Sequence, residues 1–120
     1  MNKNAKKWLK SLRSGEYDQG KGRLRTEDSF CCLGVACDIS GLGRWEGDIF
    51  YTEGDYFHIV YLPEAVMSWL GITTRSGKFF NEDKDIIWSL SDTNDEGKSF
   101  AEIADLIEKH QDDLFDKKLD

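Results

Sequence analysis

Long apolar runs are missing from this sequence, and proline and histidine are scarce. The chain has one proline and two histidines among its 120 residues. Nowhere do about eighteen apolar residues follow one another, so we expect no membrane-spanning helix. The lysine-rich start, residues 1–7, lacks the apolar core of a signal peptide. The sequence therefore predicts neither export nor membrane insertion.

Cysteines are few, and their count of three is odd, which does not favour a disulfide framework. Cys31 and Cys32 are neighbours, and a disulfide between adjacent residues would be strained. The cysteine usage is typical of a reducing cytoplasm. A chain of this length is expected to form one domain, residues 1–120, whose core needs neither a metal nor a disulfide.

The net charge of −7 hides a strong asymmetry along the chain. Residues 1–25 hold eight Lys or Arg against two acidic residues, a net +6, whereas residues 26–120 hold eight against twenty-one, a net −13. The basic segment could meet a phosphate, or it could pair with the acidic remainder or be solvated. Because the acidic body would repel a polyanion, we expect no direct binding of double-stranded nucleic acid.

Apolar spacing and helix-end signals predict four helices. They cover residues 4–13, 32–40, 62–70 and 99–109. Ser14-Gly15 ends the first helix, and Gly41 and Gly71 are expected to cap the second and third in the left-handed conformation. Leu62-Pro63-Glu64 begins the third helix, and a capping box between Ser99 and Glu102 begins the fourth.

Segments rich in β-branched and aromatic residues predict a small sheet. Residues 48–52 and 56–61 predict a β-hairpin, and Gly43 and Gly47 predict turns before it. Residues 78–80 and 86–88 predict further short strands, although residues 86–90 are also compatible with a helical turn. The charged segment 111–120 is expected to fray. The fold class is therefore α+β, with about four short helices packed on a small, mostly antiparallel sheet that contains one β-hairpin.

The most distinctive stretch is residues 30–38, Phe-Cys-Cys-Leu-Gly-Val-Ala-Cys-Asp. Cys32, Val35, Ala36 and Ile39 follow the i, i+3, i+4, i+7 spacing of one buried helical face. Unoxidised cysteine is among the most buried residue types, so a packing role is expected for these thiols. A nucleophile or a metal ligand is the alternative.

Support for catalysis or metal binding is weak. A cysteine nucleophile needs a base, and the two histidines are His58, in a predicted strand, and His110, at the end of a predicted helix. The cysteine and histidine spacing does not match a structural zinc site. Residues 97–99, Gly-Lys-Ser, lack the strand and upstream glycine of a phosphate loop. We expect no enzymatic activity, no catalytic residues, no metal and no cofactor.

Two blocks of sequence carry a resemblance to a group of known proteins. The first is residues 30–38, and the second is residues 94–104, Asn-Asp-Glu-Gly-Lys-Ser-Phe-Ala-Glu-Ile-Ala. Together with residues 8–20 and Leu62-Pro63-Glu64, they make nearly the whole chain similar to a family of small hypothetical proteins encoded by bacteriophages and prophages. The resemblance implies a phage accessory protein in the cytoplasm of a bacterial host. Such proteins often counter host immunity by occupying a host protein or by sequestering its nucleotide signal.

A binding function fits the composition best. Fifteen aromatic residues are enough for both a core and a stacking pocket. We predict a site for a small nucleotide-like anion, formed by Arg23, Arg25, Arg44, Trp45, Tyr51, Tyr56 and Phe57. The alternative for the hairpin aromatic residues is packing as cross-strand pairs.

We therefore expect a phage counter-defence protein that sequesters a small nucleotide-like immune signal. The alternative is an inhibitor of a host defence protein, which would present an acidic surface as a mimic of nucleic acid. A homo-oligomer that completes the pocket is left open.

Overall fold

The computed structural model describes residues 1–116, and over these it contains six α-helices and eight short β-strands. The helices are α1 (Lys3–Arg13), α2 (Cys32–Ser40), α3 (Glu64–Leu70), α4 (Leu90–Asp95), α5 (Phe100–Lys109) and α6 (Gln111–Leu114). The strands are β1 (Asp18–Gln19), β2 (Arg25–Thr26), β3 (Ser29–Phe30), β4 (Gly43–Glu46), β5 (Ile49–Thr52), β6 (Tyr56–His58), β7 (Lys78–Asn81) and β8 (Ile86–Ser89). The α+β class expected from the sequence is confirmed.

The strands form three small sheets. In the first, β3 lies between β1, which is parallel to it, and β2, which is antiparallel. The second is the antiparallel sheet β4-β5-β6, which contains the predicted hairpin, and the third is the antiparallel pair β7-β8. The turn predicted at Gly43 is wrong, because Gly43 lies in β4, where a Cβ would stand 2.3 Å from the carbonyl oxygen of Tyr51. Glycine is needed there for a close backbone approach.

Helix α2 is the centre of the core. The predicted boundaries of this helix are confirmed, and Gly41 ends it in the left-handed conformation with φ 68°. All residues from Cys32 to Cys37 are buried, and helices α1, α3 and α4 pack around them. The indole N–H of Trp8 in α1 donates to the carbonyl of Cys32 at 2.8 Å. The thiol-rich block thus lies at the crossing of several helices.

The backbone around Leu24 is packed directly against α2. A Cβ at Gly34 would stand 1.7 Å from the carbonyl oxygen of Leu24. That carbonyl accepts from the N–H of Cys31 at 3.1 Å, while the N–H of Leu24 donates to the carbonyl of Ile59 at 2.8 Å. Leu24 therefore connects the start of α2 to the segment that follows β6.

Asn94 joins three separate parts of the chain. It is fully buried in α4, a helix that the sequence patterns do not predict. Its Oδ1 accepts from the N–H of Cys32 at 3.1 Å and from Nε2 of Gln19 at 2.9 Å, and its Nδ2 donates to the carbonyl of Gly20 at 2.8 Å. One amide side chain thus satisfies an N–H at the start of α2 and holds the segment 19–20.

The C-terminal segment is anchored as far as it is described. The predicted capping box between Ser99 and Glu102 is confirmed at the start of α5. The predicted fraying is wrong for residues 111–116, because Leu114 and Phe115 are buried and Phe115 forms a β-bridge with Ile72. The fraying predicted for residues 117–120 lies outside the described residues. Within residues 1–116, no helix combines the length and apolarity required to cross a bilayer.

Candidate functional site

Three of the seven site residues predicted from the sequence are neighbours on one face of the sheet β4-β5-β6. Arg44 pairs with Tyr51 across β4 and β5, and Tyr51 pairs with Phe57 across β5 and β6. The guanidinium carbon of Arg44 lies 4.9 Å from the ring centre of Tyr51. Tyr51 and Phe57 are thus a cross-strand aromatic pair. Tyr56 precedes Phe57 on β6 and is 70% exposed, but strand alternation directs it to the other face.

The arginines predicted to bind an anion already have carboxylate partners. These ion pairs are Arg23 with Asp48 (3.8 Å), Arg25 with Asp28 (3.8 Å), and Arg44 with Asp55 (3.1 Å) and Glu46 (3.5 Å). Pairs at the surface are individually weak. An anion bound at these arginines would nevertheless have to displace a carboxylate.

Arg25 and Trp45 belong to a packed aromatic cluster with Phe30. The guanidinium carbon of Arg25 lies 5.6 Å from the ring centres of both Phe30 and Trp45. Asp38 accepts hydrogen bonds from the indole N–H of Trp45 at 3.0 Å and from the hydroxyl of Tyr17 at 2.5 Å. Burial, with the hydrogen bond to Asp38, raises the pKa of Tyr17, so its hydroxyl stays a neutral donor. The geometry of this cluster supports a packing role for Arg25 and Trp45.

The three thiols are buried and poorly suited to nucleophilic chemistry. Burial raises the pKa of the Cys31 thiol to about 11 and raises the pKa values of Cys32 and Cys37 well above the usual range. The Sγ of Cys31 accepts from the N–H of Gly34 at 3.4 Å and so caps α2. Because the thiolate is the reactive form, these environments support structural roles. In the described part of the chain, no three His, Cys, Asp or Glu side chains are grouped to hold a metal ion.

A depression of about 600 Å³ lies between the segment after β6, helix α3 and the loop after α3. The lining residues are Phe57, His58, Ile59, Val60, Tyr61, Leu62, Glu64, Met67, Thr73, Thr74 and Arg75. The N–H of Leu62 donates to the carbonyl of Arg75 at 3.0 Å, and the N–H of Thr73 donates to the carbonyl of Leu114 at 2.9 Å. These bonds hold the two sides of the depression on the buried core.

Arg75 is the residue of this depression that stands out electrostatically. Its guanidinium carbon lies 4.8 Å from the ring centre of Tyr61. Each of the other four arginines has a carboxylate oxygen within 4.0 Å. Within residues 1–116, no carboxylate lies that close to the guanidinium of Arg75. A stacked guanidinium without an acidic partner is available to an anionic ligand.

The other lining groups add apolar surface and hydrogen-bonding capacity. Phe57 is 63% exposed and Tyr61 is 41% exposed. The Oγ1 of Thr74 accepts from the N–H of Lys78 at 2.7 Å, so its own hydroxyl hydrogen can still be donated. Burial lowers the pKa of His58, whose Nε2 lies 3.3 Å from Oγ1 of Thr52, so the imidazole is neutral at pH 7. Arg75 therefore supplies the positive charge of the depression at that pH.

The sequence patterns did not single out Arg75. It is the one arginine in residues 45–120, within the polar segment Thr-Thr-Arg-Ser-Gly. An isolated arginine in an acidic stretch could have indicated an anion-binding residue. Only the folded chain, however, brings Arg75 into the same depression as Tyr61 and Phe57. Of the residues predicted from the sequence, Phe57 lines this depression.

A second cleft, of about 320 Å³, lies between the β7-β8 turn and α5. Its charged lining residues are Glu82, Asp83, Glu96, Glu102, Asp105, Lys98, Lys109 and His110. The backbone N–H and hydroxyl of Ser99 lower the pKa of Glu102 through hydrogen bonds. With five carboxylates and two lysines, this part of the surface is predominantly acidic.

The structure is that of a small α+β protein whose first depression holds an arginine without a carboxylate partner within residues 1–116. Residues 1–111 match the model of a family described as a domain of unknown function, DUF8296, and the chain belongs to that family. The comparisons with curated proteins and with solved structures found no match.

Proposed function

We propose that this protein binds a small nucleotide-like anion in the depression beside α3. Arg75 binds the anionic group, and the exposed ring of Phe57 stacks against the flat body of the ligand. The observation that carries the proposal is that Arg75 is stacked on Tyr61 and has no carboxylate partner within residues 1–116.

The chemistry of the depression matches such a ligand. A guanidinium binds phosphate through two parallel hydrogen bonds, and the Thr74 hydroxyl can donate a further one. Its volume of about 600 Å³ lies within the usual range of about 300–1,000 Å³ for small-molecule sites. We therefore propose Arg75 as the residue that binds the anion, in place of Arg23, Arg25 and Arg44, which the sequence predicts for this role.

A protein that binds a nucleotide without converting it would lower the free concentration of that nucleotide, which is sequestration. The buried thiols provide no accessible nucleophile, and His58 is neutral and contacts Thr52. The resemblance to phage proteins supplies the biological setting: a phage accessory protein in the cytoplasm of a bacterial host that removes a nucleotide-like immune signal.

Calorimetry with matched variants tests the proposal. Protein purified from a bacterial host is analysed by mass spectrometry for bound nucleotides, and the stripped protein is titrated with GMP and AMP. Arg75→Ala should weaken binding by about 2 kcal/mol, roughly 30-fold. Arg44→Ala serves as the matched control and should change affinity little.

Two outcomes would contradict the proposal. If Arg44→Ala or the double variant Arg23→Ala with Arg25→Ala weakens binding while Arg75→Ala does not, the ligand lies at the site predicted from the sequence. If no nucleotide co-purifies and neither titrant binds, nucleotide sequestration is wrong.

The acidic cleft supports a second candidate, inhibition of a host defence protein that normally binds nucleic acid. Its five carboxylates could face a basic surface. Glu82 and Asp83 are suitable probes because both are exposed in the β7-β8 turn, whereas Asp113 accepts from the N–H of Phe80 and has a structural role. A partner recovered from the host should be released by added DNA and by Glu82→Lys with Asp83→Lys, but retained by Arg75→Ala. Retention by the double lysine variant would rule this candidate out.

A further inference from the structure

Glu64 and Arg75 carry opposite charges in the same depression but do not pair. Both line it, and within residues 1–116 neither has an ion-pair partner. Glu64 is exposed at the first position of α3. The depression thus offers one cation for an anionic group and one carboxylate for a hydrogen-bond donor, with aromatic surface in the same recess.

We infer that the ligand is a guanine nucleotide, bound with its phosphate at Arg75 and the Watson–Crick edge of its base at Glu64. This inference rests on the proposed function, because it assigns the base of the nucleotide that the depression is proposed to bind. The ring of Phe57 provides the stacking surface.

The donor pattern of guanine carries the choice of base. An ionised carboxylate only accepts hydrogen bonds, and its two oxygens favour two adjacent donors. Guanine presents its N1–H next to its exocyclic amino group. Adenine and cytosine place a ring-nitrogen acceptor beside the amino group, which would face a carboxylate oxygen. Uracil has one N–H between two carbonyls. Guanine is therefore the common base whose edge matches Glu64 best.

A backbone hydrogen bond joins the chain segments that carry Glu64 and Arg75. The N–H of Leu62 donates to the carbonyl of Arg75 at 3.0 Å, and Pro63 leads directly into α3, which begins at Glu64. Two residues span at most about 7 Å of extended chain, so the backbones of Glu64 and Arg75 are close in space. Their side chains can therefore contact opposite ends of one small ligand.

Titration with GMP, IMP and AMP tests the inference, because IMP differs from GMP only in lacking the exocyclic amino group. GMP should bind at least about 10-fold more tightly than IMP or AMP. Glu64→Gln should remove that preference: its amide N–H opposes a donor of guanine but can donate to the ring nitrogen of adenine, so AMP should bind at least as tightly as before. Glu53→Gln is the matched control, since Glu53 is exposed in the β5-β6 turn and does not line the depression.

The other outcomes separate this inference from the proposed function. Equal binding of the three nucleotides, with loss in Arg75→Ala, would overturn the assignment of guanine and leave nucleotide binding intact. Absence of binding by all three would overturn both. If L-phenylalanine binds in a Glu64-dependent manner and the nucleotides do not, the depression takes zwitterionic amino acids, and the guanine assignment is wrong.

Discussion

Removal of the Asn94 side chain should be among the most damaging polar substitutions in this protein. Asn94 is fully buried, and its amide contacts Cys32 at the start of α2, Gln19 and Gly20. In Asn94→Ala, the buried N–H of Cys32 loses its acceptor and the carbonyl of Gly20 loses its donor.

The expected cost follows from these orphaned groups. A buried donor or acceptor left without a partner costs about 1–3 kcal/mol. Cys32 is fully buried, whereas Gly20 is half-buried, so we expect a loss of about 2–4 kcal/mol for the pair. This is a large fraction of a typical domain stability of about 5–15 kcal/mol. Urea unfolding followed by tryptophan fluorescence measures it.

Two further variants make the test specific. Asn94→Asp keeps an acceptor for Cys32 but replaces the donor to Gly20 with a buried carboxylate. Burial should raise the pKa of this introduced carboxyl group in the folded protein. As the pH falls, the group becomes protonated and can donate to the carbonyl of Gly20 again, so the variant's free energy of unfolding should increase. Asn81→Ala is the control, because its side chain accepts bonds only in the exposed β7-β8 turn, and it should cost less than about 1 kcal/mol. A loss below about 1 kcal/mol in Asn94→Ala, with an unchanged m value, would refute the reasoning.

The remaining predictions concern the core, the caps and pH. Gly34→Ala would place a Cβ 1.7 Å from the carbonyl oxygen of Leu24, so the clash should outweigh the helix-propensity gain of about 1 kcal/mol and leave a net loss of about 2 kcal/mol or more in urea unfolding; a neutral effect would mean that the backbone moves apart freely. Ser99→Ala removes the cap of α5 and should lower the free energy of unfolding by about 0.5–2 kcal/mol without weakening ligand binding; loss of binding at full stability would instead place Ser99 in a site. The three buried thiols should react with a thiol reagent at pH 7 only after urea is added, because burial raises their pKa values, and rapid labelling of the folded protein would show an accessible thiolate. Burial lowers the pKa of His58 below its ordinary 6.5, so the free energy of unfolding should fall as the pH drops from 7 through that value, because the unfolded chain binds the proton more readily; His58→Gln should remove this component of the pH profile.

The elements that could be predicted from the sequence are those with local signals at their ends. Helix α2 has an apolar stripe and a glycine cap, and α5 has the capping box of Ser99 and Glu102, so both could be placed to within a residue. The sequence patterns do not predict helix α4, although the side chain of Ser89 caps it by accepting from the N–H of Asp92. Helix α4 has only six residues, too few to show the spacing of apolar residues that identifies a helix, and the apolar residues of β8 directly before it favour a strand.

Contacts between distant segments account for the rest of what the sequence could not predict. The sequence predicts a turn at Gly43, because a glycine in sequence does not reveal the carbonyl of Tyr51 that approaches it in the sheet. Arg23, Arg25 and Arg44 predict an anion site because their basic charge is visible in sequence, whereas the folded chain pairs them with Asp48, Asp28 and Asp55, which lie in turns between strands. Arg75 is isolated in sequence; in the fold the N–H of Leu62 donates to its carbonyl, and its guanidinium stacks on Tyr61.

The two most distinctive sequence blocks, residues 30–38 and 94–104, meet in space at the hydrogen bond between the N–H of Cys32 and Asn94. These blocks therefore contain residues that hold α2, α4 and the segment 19–20 together. The proposed ligand residues lie elsewhere, in residues 57–75, and connect to that assembly through the bond from Leu24 to Ile59. Since these two blocks and the charged residues of the depression are different residues, we expect substitutions at Glu64 or Arg75 to alter the proposed binding without disturbing the contacts of Asn94.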